Sequence, residues 1–222
     1  MPRLLDLFCG AGGASMGYNR AGFEVVGVDI NPQPRYPFEF IQADAMTFPL
    51  DGFDVIHASP PCQSYSLAMR HLAHPQPKLV EPLRDRFTGK IYVIENTPGC
   101  PLIEPIMLCG TSFGMRIWRH RLFECSEPII SLECKHDGRP INPHRQSGRD
   151  IIKDEFGRRN PELVWRDAAG LNWMTKQREW REAIPPAYTE WIGRQLMDLC
   201  VPRAKRALAE RAAQLPFEET KQ

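Results

Sequence analysis

The sequence predicts an α/β protein: an open, parallel sheet with helices on both faces and a small irregular insert. Three observations predict it. Four short apolar runs, "LLDLF", "EVVGVD", "FDVIHAS" and "IYVIEN", punctuate the first hundred residues. They are rich in Val and Ile and most end in a polar residue, as strands buried on both faces do. The first run passes into the glycine-rich "CGAGGASMGYNRAG", a turn leading into a helix that stops at Gly22. Strand, turn, helix and strand make a βαβ unit with a right-handed crossover. Finally, the pattern breaks from about residue 124 to 160, where "SEPIISLECKHDGRPINPHRQSGRD" carries proline, glycine and charge around one short apolar run. That stretch reads as an inserted loop or minimal subdomain.

The elements follow in order. The sheet begins almost at the first residue, and the helix after the glycine turn returns the chain to "EVVGVD", which closes on Asp29. A weaker strand, "FEFIQAD", comes next and ends near Asp44. "FDVIHAS" delivers the chain to two prolines and Cys62, and "IYVIEN" delivers Glu95 and Asn96. Towards the C-terminus, "EWIGRQLMDLC" spaces Trp191, Ile192, Gln195, Leu196 and Leu199 close to a helical period, with a fraying end. These readings divide the chain into an α/β core at 1–123, an insert at 124–165 and a helical segment at 166–222 that returns to the core.

Composition narrows the class. At 222 residues, 42% hydrophobic and 25% charged, the chain fits one globular domain with a small appendage. No apolar run approaches membrane-spanning length, and "MPRLLDLFCG" starts as a strand and not as a signal peptide. Seven irregularly spaced cysteines argue against a disulfide framework and for a reducing, cytoplasmic setting. The net charge of +1 hides an asymmetry. Residues 1–60 hold three Lys/Arg against seven Asp/Glu, whereas 116–166 hold eleven against eight. A locally basic insert suits a nucleic-acid contact, and equally a solvated loop of mixed charge.

The carboxyl end of an open α/β sheet is where ligands bind, and two sets of residues gather there. Gly10, Gly12 and Gly13 follow the first strand, where glycine permits close approach of the backbone and the helix start favours negative charge. Their G-x-G-G spacing misses the dinucleotide fingerprint, and no Walker lysine follows. Asp29 stands where a carboxylate accepts from ribose hydroxyls, and Asp44 where one accepts from an adenine amino group. Either alone is as readily a strand-end cap. In this order with the glycine turn, they favour an adenosine-containing cofactor. At the other set, Pro60 and Pro61 stiffen the loop that carries Cys62, a setting suited to a nucleophilic thiol or to an ordinary tight turn.

Read together, "DLFCGAGG", the acid of "GVDINP", "QADA", "SPPCQSYS", "YVIENTPG", "RIWRHRLFE" and "EAIPPAYTEWIG" resemble, in order, the motifs of DNA cytosine methyltransferases that modify ring carbon 5. The likeness runs from residue 4 to about 196, and the compactness is similar to that of small bacteriophage methylases, whose role in evading restriction it suggests. The resemblance implies a Rossmann-like sheet that binds S-adenosyl-L-methionine and releases S-adenosyl-L-homocysteine. It implies cofactor contacts from Asp6, Phe8, Gly10, Gly12, Gly13, Asp29, Ile30, Asp44, Ala45 and Pro60. Cys62 is the implied nucleophile towards carbon 6 of a flipped cytosine, and Glu95 the group that engages the ring nitrogen and amino group. Arg121, and with it Arg119, match arginines that contact the base, while Asn96 fixes the local turn.

Departures accompany the likeness. The late motif, ordinarily Gly-Asn-Ala/Ser-Val-Pro, reads Arg181, Glu182, Ala183, Ile184 and Pro185, and Ile117 replaces a glutamine ahead of the arginine pair. Only about forty residues stand where the family inserts a target-recognition domain. A DNA substrate is therefore expected to be read in a short, permissive context, or with a protein partner or second copy supplying recognition. Arg145, Arg149, Arg158 and Arg159 are the candidates for phosphate contacts. Cys125, Cys134, His136 and His144 match no standard zinc spacing, so no metal is assigned. An RNA cytosine methyltransferase, a methyltransferase acting on an exocyclic amine, and a non-catalytic DNA-binding relative are the alternatives.

Overall fold

Seven strands form one sheet in the order β3-β2-β1-β4-β5-β7-β6. They are β1 (Arg3–Leu7), β2 (Glu24–Asp29), β3 (Glu39–Gln42), β4 (Val55–Ala58), β5 (Ile91–Asn96), β6 (Ile106–Leu108) and β7 (Arg121–Cys125). The helices are α1 (Gly13–Ala21), α2 (Val80–Arg86), α3 (Pro161–Ala168), α4 (Gln177–Glu182) and α5 (Pro186–Ala213). These features come from a computed structural model that describes residues 1–62, 65, 77–136 and 161–213. Arg145, Arg149, Arg158, Arg159 and His144 lie outside the described residues.

The four apolar runs and the weaker fifth are strands β1 to β5, all parallel, as expected. The sequence reading did not anticipate β6 and β7. β7 runs antiparallel to both β5 and β6, closing the sheet with a reversed strand. β7 also ends at Cys125, two residues beyond the expected core boundary, and α3 crosses the boundary drawn at 165/166.

Because the central strands alternate sides while both faces are covered, they read as unbroken apolar runs. Leu4, Val25 and Val55 are in register and pack with Tyr18 of α1 and Tyr188, Ile192 and Leu196 of α5. Leu5 and Ile56 face the opposite way, against Val80 and Leu83 of α2. Helices thus lie on both faces. α1 and α5 cross closely enough that a Cβ on Gly17 would stand 2.1 Å from the Pro186 carbonyl, so only glycine fits there. Trp165, Leu171, Met174 and Trp180 form a third apolar cluster with Ile117 and Ala11.

On the α1 face the apolar alternation gives way to Asp6, His57 and Glu95 towards the carboxyl ends of β1, β4 and β5, all three buried. The strand order turns back between β1 and β4, and this is where an open α/β sheet places its ligand. No helix among the described residues is long and apolar enough to cross a membrane.

Candidate active site

The glycine turn is built by backbone constraint. β1 is followed by Phe8, held at φ 60, a left-handed conformation rare for a non-glycine residue. Gly10 and Gly12 follow with φ of 51 and 85. Gly10 N–H donates to Asp29 Oδ2 at 3.1 Å, tying the turn to the end of β2. Gly13 lies under the late segment: a Cβ there would come within 2.5 Å of the Ile184 carbonyl. Although residues 181–185 depart from the family's motif, their backbone still rests on the turn.

Asp29 and Asp44 occupy neighbouring strand ends, with Ala43 N–H donating to the Asp29 carbonyl at 3.1 Å. Each carboxylate already accepts locally, Asp29 from Asn31 N–H and Asp44 from Met46 N–H, both at 2.8 Å. Carboxylate oxygens accept more than one bond, so both retain capacity for a ligand. Between them Ile30 is 66% exposed, an apolar surface suited to a flat ring, whereas Ala45 is buried behind Asp44. Asp6 is fully buried, accepts from the Ser15 hydroxyl, and lies beneath the turn. Tyr36 Oη donates to Ser15 Oγ at 2.7 Å, extending the chain of bonds to the loop that covers Gly12. Burial pushes the Asp6 carboxyl up to about 7; the Ser15 hydrogen bond opposes this, and Asp29 and Glu95 add to it. The sites expected of an adenosine-bearing ligand are therefore together, with Asp6 as a buried support.

Cys62 is half-buried on the loop after β4. The loop is fastened from the next strand: Asn96 Nδ2 donates to the Pro60 carbonyl at 3.1 Å, while Asn96 Oδ1 accepts from Thr97 N–H. The expected local role of Asn96 thus extends to the cysteine loop. Glu95, 6% exposed, meets Arg121 with Nε to Oε1 at 3.0 Å. Burial raises its carboxyl above the ordinary value, against the opposing pull of Arg121, Arg119 and a hydrogen bond from Ser59.

A polar chain that the sequence reading did not identify leads to Glu95. Tyr18 Oη lies 2.9 Å from His57 Nδ1, and His57 Nε2 lies 2.9 Å from Ser59 Oγ. Burial lowers His57 to about 3, so it is neutral and carries one ring proton. With Ser59 donating to Glu95, that proton sits on Nε2 and Tyr18 donates to Nδ1. The available signal was a lone histidine within the apolar run "VIHAS".

Arg119 is placed differently from Arg121. Its Nη2 donates to the carbonyls of Arg181 and Glu182 at 2.8 and 3.2 Å, and its guanidinium lies over the Trp165 ring. Burial, then repulsion from Arg121, lowers it to about 9. This arm of Arg119 clamps the late segment, whereas Arg121 addresses Glu95. Ile117, in place of the glutamine, is a buried member of the third cluster.

The metal candidates separate in a similar way. Cys125 Sγ lies 4.0 Å from the Phe123 carbonyl, and burial pushes its thiol up to about 12. Cys134 and His136 instead meet Cys109 and His120. Cys109 and His120 lie outside the set whose spacing was weighed in the sequence.

The fold is the α/β, Rossmann-like fold of methyltransferases. Residues 2–80 match the family model of C-5 cytosine-specific DNA methylases. The type II methyltransferase M1.HphI of Haemophilus parahaemolyticus is 36% identical over a match covering 29% of this chain and 22% of that protein. M.FnuDI of Fusobacterium nucleatum is 32% identical, covering 44% and 33%. This chain spans between a fifth and a third of those relatives' lengths. The methyltransferase EhMeth of Entamoeba histolytica shares the fold at 12% identity, with a TM-score of 0.58 over 89% of this chain and 98% of that one.

Proposed function

We propose that the protein transfers a methyl group from S-adenosyl-L-methionine to carbon 5 of cytosine in DNA. One observation carries the reading: consecutive residues of β5 serve both halves of the chemistry. Glu95 is poised beside Arg121, and Asn96 holds the loop of Cys62. The family match over residues 2–80 supports the same assignment.

Asp29, Asp44, Ile30 and the turn at Gly10, Gly12 and Gly13 hold the cofactor, with Phe8, Ala45 and Pro60 shaping its surroundings and Asp6 supporting it from below. The cofactor supplies an electrophilic methyl group. Cys62, as thiolate, adds to carbon 6 of a cytosine turned out of the helix, which makes carbon 5 a nucleophile. Glu95 engages the ring nitrogen and amino group and meets the charge that the addition drives into the ring. Its raised pKa suits it to act as a hydrogen-bond donor. Arg121 orients Glu95. After methyl transfer, loss of the carbon 5 proton and release of the thiolate restore the aromatic ring and Cys62. With so short an insert, DNA is read in a permissive context or with help from a partner or second copy.

Bisulfite sequencing of DNA from a host without cytosine methylation, expressing this chain, tests the proposal. Methylated cytosines are expected with the wild type and none with Cys62→Ser, which should still bind S-adenosyl-L-methionine. Methylation persisting in the serine variant would remove the covalent route. A wild type that binds the cofactor yet leaves DNA unmodified would overturn the DNA assignment.

A further inference from the structure

Four side chains outside the active site point their ligand atoms at one another. They are Cys109, just past β6, His120, just before β7, and Cys134 and His136 in the segment that follows β7. Their sulfur and nitrogen atoms all lie within 4.8 Å of each other. His120 Nε2 is 3.3 Å from Cys134 Sγ and 3.2 Å from His136 Nε2. His136 Nε2 is 3.5 Å from Cys109 Sγ and 2.8 Å from Cys134 Sγ.

Hydrogen bonding among the four does not account for this arrangement. An imidazole nitrogen carries one proton or one lone pair, directed in the ring plane. His136 Nε2 faces three partners and His120 Nε2 faces two. A single proton cannot serve so many directions, whereas one central ion receives a lone pair from each atom. A tetrahedral zinc with ordinary bond lengths sets sulfur–nitrogen edges of about 3.6 Å and a nitrogen–nitrogen edge of about 3.3 Å. Three of the four contacts agree to within about 0.3 Å. The Cys134–His136 edge is shorter, and an ion between them would part it.

We infer that Cys109, His120, Cys134 and His136 form a structural zinc site. Two thiolates and two imidazoles in a compact tetrahedral set select Zn²⁺ over metals that prefer oxygen or planar coordination. All four positions come from the protein, leaving none for a reacting water. The surroundings suit ligand thiolates: Thr111 Oγ1 donates to Cys109 Sγ at 3.3 Å and lies 3.8 Å from Cys134 Sγ. Trp118 stacks on the His136 ring, with centroids 4.3 Å apart, and screens the most exposed ligand.

The position of the site gives the ion a task. It joins the open ends of the β6–β7 pair to the start of the insert, a stretch at 126–136 with no helix or strand. Without it that stretch is held by scattered bonds, such as Ile130 N–H to Gln195 Oε1 and Trp191 Nε1 to the Ile130 carbonyl. A segment this short cannot build its own core, and a metal is one of the few ways to fix it. The same ion sets the arginine pair: His120 stands between Arg119 and Arg121, and Arg121 Nη1 donates to the His120 carbonyl at 2.9 Å. The zinc is thus an anchor that fixes residues 126–136 beside Arg121.

The assignment is tested on the full chain, by elemental analysis after zinc reconstitution and by replacement with Co²⁺. About one zinc per chain is expected, with the visible absorption of tetrahedral Co²⁺ and a sulfur-to-cobalt charge-transfer band. Cys134→Ser and His136→Ala should each lower metal affinity at least about tenfold. Cys125→Ser, which alters a residue outside the cluster, should leave it unchanged. If the ligand variants fail to fold, thiol labelling of the wild type decides: two cysteines should be protected by zinc and released by a chelator. Wild-type protein without bound zinc, a pale octahedral cobalt spectrum, or equal loss in Cys125→Ser and Cys134→Ser would each overturn the site.

Discussion

Asn96 Nδ2 holds the Pro60 carbonyl at 3.1 Å, so the strand that carries Glu95 also positions the loop that carries Cys62. Glu95 on β5 and Cys62 on the loop after β4 share one anchor, and their separation does not depend on loop rigidity alone.

Asn96→Ala should therefore damage turnover more than binding. Losing a buried hydrogen bond costs about 1–3 kcal/mol, which corresponds to roughly ten- to a hundredfold in rate if it falls on placement of the thiol. Steady-state methylation should fall by that factor while calorimetry shows unchanged cofactor affinity. Equal loss of both would mean that Asn96 serves the fold in general.

Glu95→Gln keeps the shape that Ser59 and Arg121 contact but removes the titrating group. Methylation should drop about a hundredfold or more. Arg121→Met removes the cation that favours the carboxylate, so the Glu95 pKa should rise further than burial has already raised it. The pH-rate limb assigned to Glu95 should then move upward. A limb that stays in place would show that Arg121 does not set its ionisation.

Asp29→Ala removes a strand-end carboxylate and also the acceptor of Gly10 N–H. Cofactor affinity should fall about ten- to a hundredfold. Asp29→Asn can still accept from Gly10 and should lose less, and DNA binding should persist in both. An alanine variant with normal cofactor affinity would place the ribose elsewhere.

Asp6 gives a stability prediction with a defined sign. Its carboxyl is raised to about 7 in the folded chain, so the native state holds this proton more tightly than the unfolded one. The stability it contributes is present below about pH 4 and is lost as pH rises towards 7. His57, lowered to about 3, acts oppositely across much of the same range and partly masks this in the wild type. The difference in unfolding free energy, Asp6→Asn minus wild type, isolates the effect. It should increase with pH between about 4 and 7, by up to about 1.4 kcal/mol per unit. Denaturant melts across that range measure it, and a flat difference would mean that Asp6 titrates normally.

The sequence by itself determined the elements whose signals are local. Unbroken apolar runs marked β1, β2, β4 and β5, which are largely buried, a weaker run marked β3, and the glycine turn ended in a helix stopped by Gly22, whose φ is 107. The positions of Cys62, Glu95 and Asn96, at or just after strand ends, were legible because stiff or polar residues stand out against an apolar background. Tertiary structure alone decided the rest, because it depends on which distant segments meet. β7 had no distinctive pattern, yet its reversed pairing with β5 brings Arg121 to Glu95. Tyr18, His57 and Ser59 form a chain because α1 packs on β4, which periodicity does not record. Packing alone turned Arg119 to the carbonyls of 181 and 182. Cys109, His120, Cys134 and His136 meet from three segments, so no spacing rule along one stretch of chain could join them. Hydrophobic period is written residue by residue, whereas the convergence of polar side chains is set by strand order and helix crossing.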